Sequence, residues 1–209
     1  MGSYSAGMTT IDAYGVRAQE YAELLGTIEA MAPEDRHRIE TWAGAVDGPI
    51  LDAGCGPGHW TAHLAAFGYE VQGIDPVPKF IEIARRRHPG IEYDLGSFAN
   101  LADGSVRSGG AGVWSGILAW YSLIHLVPRE VPGALAQLHG ALRPGGSLLL
   151  GFFDGPRQES FAHAVAPAQL WPAEEMAQLL EEAGFDVVDL ERHADPGARP
   201  HAAIIATRR

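Results

Sequence analysis

Cysteine is almost missing from this chain: Cys55 stands alone among 209 residues. One thiol excludes an intramolecular disulfide framework and suits a reducing compartment. Long apolar runs are missing too, since nothing approaches the roughly 20 consecutive residues that cross a bilayer. The N-terminal stretch has no basic segment followed by an apolar core, so no secretory signal is expected. Positive charge is scarce, with 15 Lys and Arg against 26 Asp and Glu, a formal charge of −11. Such a field repels polyphosphate backbones, and nucleic acid is not an expected partner. The one basic cluster, Arg85-Arg86-Arg87-His88, closes a helical pattern, where cations complement the helix dipole. The 9 histidines are scattered without metal-ligand spacing, so no metal is expected. These absences point to a cytoplasmic protein, monomer or homodimer, away from membranes and acting on a small molecule.

What is present is an ordinary globular composition, 46% hydrophobic and 20% charged. The length fits one domain over residues 1–209. From residue 50 strands and helices alternate, which argues for a mostly parallel sheet flanked by helices. Strands are predicted at 50–53, 71–74, 91–95, 113–120, 147–153, 185–190 and 202–207. Helices are predicted at 59–67, 77–87, 132–142 and 172–183. Residues 11–44 read as two helices ahead of the sheet, giving a helical cap (1–45) on a core (46–209). Residues 154–171 keep no sustained period, with Pro156 and Pro167 inside and Pro172 next door. A long irregular connection in a compact domain is often a lid or binding loop, so this one is expected to wall the active site.

Leu51-Asp52-Ala53-Gly54-Cys55-Gly56-Pro57-Gly58 joins the first strand to the first helix of the core. Alternate glycines let the backbone turn sharply and let a ligand approach without Cβ atoms in the way. The carboxyl end of a strand is where open α/β sheets bind ligands. A dinucleotide fingerprint would need its third glycine at His59. Here it falls at Gly58, giving G-x-G-x-G behind an acidic residue. Asp75 ends the second strand, where a carboxylate can hold ribose hydroxyls, a role that serves either kind of cofactor.

The shorter glycine spacing resembles motif I of the class I S-adenosylmethionine-dependent methyltransferases. Gly73-Ile74-Asp75-Pro76 looks like their motif II. Gly96-Ser97-Phe98-Ala99-Asn100-Leu101 sits where the family commonly has G-D-A-x-x-L. Leu142-Arg143-Pro144-Gly145-Gly146-Ser147-Leu148 is similar to the turn and strand after motif IV. The order is the family's own over residues 50–153. The resemblance implies a Rossmann-like α/β three-layer sandwich, with a seven-stranded, mostly parallel sheet whose last strand is antiparallel. It also implies S-adenosyl-L-methionine as cofactor and S-adenosyl-L-homocysteine as product. Asp52 and the backbone of Gly54, Cys55 and Gly56 would face the methionine part, with Trp60 nearby. Asp75 and Pro76 would adjoin the ribose, Ser97 and Phe98 the adenine, and Ala119 and Trp120 would wall the cofactor. Serine at position 97 departs from the usual aspartate; a neutral hydrogen bond is roughly half as strong as a charge-assisted one.

Methyl transfer from a sulfonium is a direct displacement, so holding two reactants in line supplies much of the catalysis. A base helps where the acceptor must lose a proton. His125, whose ordinary pKa is near neutrality, is the candidate base, with Tyr121 beside it as a catalytic candidate. Ser122, Arg157, His163 and Trp171 are candidate acceptor contacts. The stretch 119–126, with Phe152-Phe153-Asp154-Gly155-Pro156, resembles a small actinobacterial-type subgroup. Ala13-Tyr14-Gly15-Val16-Arg17-Ala18-Gln19-Glu20-Tyr21 is similar to that subgroup's Y-x-x-R-A-x-E-Y opening, whose helix folds over the cofactor. Tyr14, Arg17 and Tyr21 are therefore expected at the cofactor. The reading is methyl transfer to oxygen or nitrogen of a small molecule. Its rivals are a silent S-adenosylmethionine-binding module and, against the glycine spacing, a nicotinamide-dependent oxidoreductase.

Overall fold

The chain folds around one nine-stranded sheet in the computed structural model, which describes residues 9–101, 104, 110–194, 197 and 199–209. Residues 1–8 of the expected cap therefore lie outside the described residues. Five strands form the parallel heart: β1 (Ile50–Ala53), β2 (Val71–Asp75), β3 (Glu92–Leu95), β4 (Trp114–Trp120) and β5 (Leu142–Asp154). They lie in the order β3-β2-β1-β4-β5. Two more strands, β8 (Phe185–His193) and β9 (His201–Arg208), complete the expected set of seven. Strand β9 runs antiparallel to β5 from Ser147↔Thr207 to Phe153↔His201, and β8 pairs with its outer edge. The mostly parallel sheet with its last strand antiparallel is thus as expected.

The correction lies in the segment 154–171. It contains two further strands, β6 (Glu159–Phe161) and β7 (Ala168–Trp171), paired antiparallel. Pairing of β4 with β5 reaches Trp120↔Gly151, and β7 then takes Phe153 and Asp154 of β5 as partners. The hairpin thereby roofs the turn that follows β4, where the Gln169 amide donates to the Ile124 carbonyl at 2.8 Å. Strands this short carry too few residues to display a period, which is why only irregularity is visible in the sequence.

Helices α3 (His59–Ala66) and α4 (Pro78–Arg87) cover one face with α2 (Pro33–Gly44); α5 (Val131–Ala141) and α6 (Ala173–Glu182) cover the other. Alternation along the strands divides the core. Ile117, Ala119, Leu148 and Leu150 face α5 and α6, while Leu118 and Leu149 join Ile39, Trp42 and Leu64 on the opposite side. Each fully buried leucine or isoleucine among these contributes roughly 1.5–3 kcal/mol.

Helix α1 (Thr10–Leu24) begins in a capping box: the Asp12 amide donates to Thr9 Oγ1 at 3.2 Å, and the Thr9 amide donates to Asp12 Oδ2 at 3.1 Å. Its buried positions are Ala13, Ala18 and Ala22, which lay it closely along α4. Arg87 of α4 donates to the Ala22 carbonyl at 2.8 Å, fastening the far end of α1. Among the described residues, no helix is long and apolar enough to cross a membrane.

Candidate active site

The glycine loop is held from below by one carbonyl. The amides of Gly54 and Cys55 both donate to Ile74 O, at 2.8 and 2.9 Å, turning the chain sharply off the end of β1. Gly54 adopts φ +87°, and a Cβ there would stand 2.3 Å from the Cβ of Ser122. The loop and the turn after β4 are therefore in direct contact, an approach that only glycine permits. Gly56 adopts φ +54°, and a Cβ there would meet nothing within 4 Å. The loop's backbone is thus open at the position where a ligand would lie against it.

Two buried carboxylates stand under this loop. Asp75 receives the Gly56 amide on Oδ2 at 2.9 Å and the Val77 amide on Oδ1 at 2.8 Å, bracing the loop against α4. Burial pushes its pKa up to about 6, opposed by those two hydrogen bonds. Both oxygens retain lone pairs for hydroxyl donors. Asp52 accepts from Thr61 Oγ1 at 2.7 Å, and burial raises its pKa to about 7, with the Asp75 charge adding to the rise. Two acids under one loop make a site that favours an incoming cation, which would relieve both. With the open glycine backbone, the residues present fit a cationic nucleoside cofactor such as S-adenosylmethionine.

The cap closes over the loop's outer side. Tyr14, Tyr21 and Phe80 pack as three rings, with centroids 5.3–5.7 Å apart. Burial, with the field of Asp75, raises the Tyr21 hydroxyl's pKa. Arg17 pairs with Glu20 at 2.8 Å and donates to the Ala164 carbonyl, tying α1 to the segment between β6 and β7.

His125 sits where these elements meet. Its Nδ1 lies 2.8 Å from the Pro167 carbonyl, which can only accept, so Nδ1 carries the proton. Nε2 then presents its lone pair, and the Tyr14 hydroxyl donates to it at 2.7 Å. Burial lowers the pKa of His125, partly countered by the bond to Pro167. The ring is thereby neutral, in one tautomer, with its basic nitrogen toward the cap. Beside it opens a cleft of about 580 Å³, bordered by Thr9, Pro128, Gln158, Ser160 and Gln169.

Other expected site residues fall at varied distances from this centre. Ser122 Oγ is buried against Gly54 without a hydrogen-bond partner among the described residues. His163 packs 5.5 Å from the His125 ring, its Nδ1 buried without a hydrogen-bond partner among the described residues. Tyr121 takes φ +53°, rare for a residue with a side chain, and its ring lies 5.1 Å from that of Phe153. Ser97 and Phe98 follow β3, with Phe98 packed on the main core, and Pro76 is half-buried beside Asp75. Trp120 is half-buried over Gly151, while Ala119 is fully buried. Three side chains lie elsewhere. Trp60 is buried among Ile39, Trp42 and Leu64, and Trp171 is buried in the core under α6. Arg157 turns to Glu159 at 2.7 Å with its side chain 77% exposed. The Cys55 side chain points down to Ile81, Ala84 and Tyr93, leaving only its backbone in the loop. Sequence reasoning missed Thr61 and Pro167. Thr61 carries a faint signal, a hydroxyl in the first turns of the helix after the loop; a backbone carbonyl such as that of Pro167 carries none.

The model of a methyltransferase domain family matches residues 18–190, and the chain belongs to that family. Among curated relatives, the O-methyltransferase cnsE of Penicillium expansum is 32% identical over 181 residues, covering 82% of this chain and 62% of the relative. A ubiquinone biosynthesis O-methyltransferase of Methylocella silvestris is 33% identical over 141 residues, covering 66% of this chain and 50% of the relative. The aligned part thus spans between half and two thirds of these relatives' length. The fold is shared with the 1,6-didemethyltoxoflavin-N1-methyltransferase of Burkholderia thailandensis, at TM-score 0.73 and 24% identity, over 100% of this chain and 93% of that one. That structure holds 1,6-didemethyltoxoflavin and S-adenosylhomocysteine.

Proposed function

We propose that this chain transfers a methyl group from S-adenosylmethionine to an oxygen or nitrogen of a small-molecule acceptor. The observation that carries the reading is the contact of Gly54 with Ser122, which sets the braced glycine loop directly against the turn bearing His125. When bound, S-adenosylmethionine supplies an electrophilic methyl group on a sulfonium. Asp52 and Asp75 complement its positive charge, and the backbone at Gly56 leaves room for it. His125 Nε2 is the atom that receives a proton from the acceptor, through the Tyr14 hydroxyl or in its place. Pro167 holds the proton on Nδ1, so the imidazolium that results keeps its orientation. The solved N-methyltransferase, with 1,6-didemethyltoxoflavin bound, supports a small acceptor, and the relatives named as O-methyltransferases keep both atoms in play.

A second reading is favoured by one feature: both nitrogens of His125 are already engaged, as in a residue that only fastens the cap. In that reading the chain binds the cofactor without turnover. Calorimetric titration with S-adenosylhomocysteine, beside NAD and NADP, tests the cofactor; micromolar binding of the first alone is expected. His125→Ala then separates the readings. As an enzyme, the variant keeps its affinity for S-adenosylhomocysteine and loses turnover by about 10²–10⁴-fold. Full activity in that variant removes His125 from the chemistry.

A further inference from the structure

Six rings form a continuous belt that meets the cleft at His125. From Tyr14 the belt passes to His125 at 5.3 Å between centroids, to His163 at 5.5 Å, to Phe153 at 5.8 Å and to Tyr121 at 5.1 Å. Phe161 of β6 flanks it, 5.3 Å from Phe153 and 6.1 Å from His163. The rings come from α1, from the turn after β4, from the end of β5 and from the hairpin, so four separate elements converge to build one aromatic surface. None of the six is fully buried and none is fully exposed. Phe161 carries the Arg199 guanidinium over one face, 3.9 Å from its centroid, and the other five rings are half-buried, between a sealed core aromatic and a bare surface one.

Polar atoms lie within the belt and on its inner side. Among the described residues, His163 Nδ1 in the belt itself and Ser122 Oγ beside the glycine loop are buried without a hydrogen-bond partner. Leaving such atoms unpaired carries a penalty that a ligand's hydrogen bonds would remove. The belt's His125 end opens into the cleft that Ser160 also borders, giving a route from solvent. Ring faces and edges recognise other rings by offset stacking and edge-to-face contact, a preference a saturated ring of the same size cannot satisfy.

We infer that the acceptor is a planar aromatic molecule carrying a ring-borne hydroxyl or amine, seated on this belt with its polar group toward His125 and His163. The inference rests on the methyl-transfer reading for the word acceptor and on the belt alone for the aromatic class.

The test is calorimetry on the full chain, with and without saturating S-adenosylhomocysteine, using probes matched in shape. Catechol is set against cyclohexanediol, and naphthol against decahydronaphthol. The aromatic member of each pair is expected to bind at least about tenfold more tightly than its saturated partner. Phe161→Leu, on a short half-exposed strand, keeps apolar bulk and removes the ring. It is expected to weaken aromatic binding by roughly three- to tenfold while leaving affinity for S-adenosylhomocysteine unchanged. Equal binding of aromatic and saturated probes overturns the inference, and so does no aromatic binding by a chain that binds S-adenosylhomocysteine. Failure to bind S-adenosylhomocysteine counts against methyl transfer instead, because the aromatic preference is read separately in its absence.

Discussion

The Tyr14 hydroxyl lies 2.7 Å from Nε2 of His125, across 111 residues of sequence. This bond joins the first helix to the turn after the central strand. Tyr14→Phe keeps the ring packing on Tyr21 and Phe80 and removes only the hydroxyl. The expected loss is about 1 kcal/mol of stability, read as a shift in the urea midpoint. Turnover should fall further than that shift accounts for, since the proton path loses its first oxygen.

Gly54→Ala and Gly56→Ala should separate packing from binding. At Gly54 the new methyl meets Ser122 at 2.3 Å on a backbone at φ +87°, so stability should drop by at least about 2 kcal/mol. At Gly56 there is no clash, and only the left-handed conformation, about 1–2 kcal/mol, is lost. Its methyl instead enters the open space beside the loop. Denaturation and titration with S-adenosylhomocysteine, run together, should show Gly56→Ala losing more affinity than stability warrants.

Asp52 gives the chain a pH signature. Its pKa in the fold, about 7, lies above its ordinary 3.8, so folding favours the protonated carboxyl. Its contribution to stability is complete below about pH 4 and is lost as pH rises through about 7. Asp52→Asn can still accept from Thr61 and carries no charge to bury. The variant should be more stable than the parent near pH 8, with the difference vanishing toward pH 4, as urea midpoints across pH will show. A difference that persists at low pH would contradict this account.

The acid limb of turnover should belong to His125. Burial holds its pKa below the ordinary histidine range, so its neutral form persists into more acid solution. Once an acceptor is in hand, the midpoint of the acid limb should lie below the ordinary histidine value of about 6.5. A limb centred above that value would assign the titration to another group.

Much of the architecture was legible because it is periodic or punctuated. The run from Ile50 to Asp75 shows a buried strand, glycines, a helix and a second strand ending in a carboxylate. The cradle around Gly56 follows from those few residues. Contacts made by distant segments were not legible. Nothing near His125 in sequence announces Tyr14, and the Pro167 carbonyl is backbone, identical in every residue. Direction was also hidden. Trp60 and Trp171 have the chemistry of a pocket wall, yet whether a tryptophan on a helix or strand faces a ligand or the core depends on what packs over it. The hairpin of β6 and β7 escaped because its strands are too short to show alternation, although it supplies Phe161 and positions Pro167.

The two N-terminal helices are fastened very differently. Helix α2 sinks Ile39 and Trp42 into the core, joins Trp42 Nε1 to Ser147 Oγ at 2.9 Å, and clasps Asp189 and Glu191 of β8 through Arg38. Helix α1 fully buries only alanines, half-buries Tyr14 and Tyr21 against Phe80, and is tied by polar contacts at Tyr14, Arg17 and Ala22. Alanines surrender little apolar area when a helix parts from its neighbour, so the hold of α1 rests on its two tyrosine rings, whereas that of α2 rests on Ile39, Trp42 and Arg38.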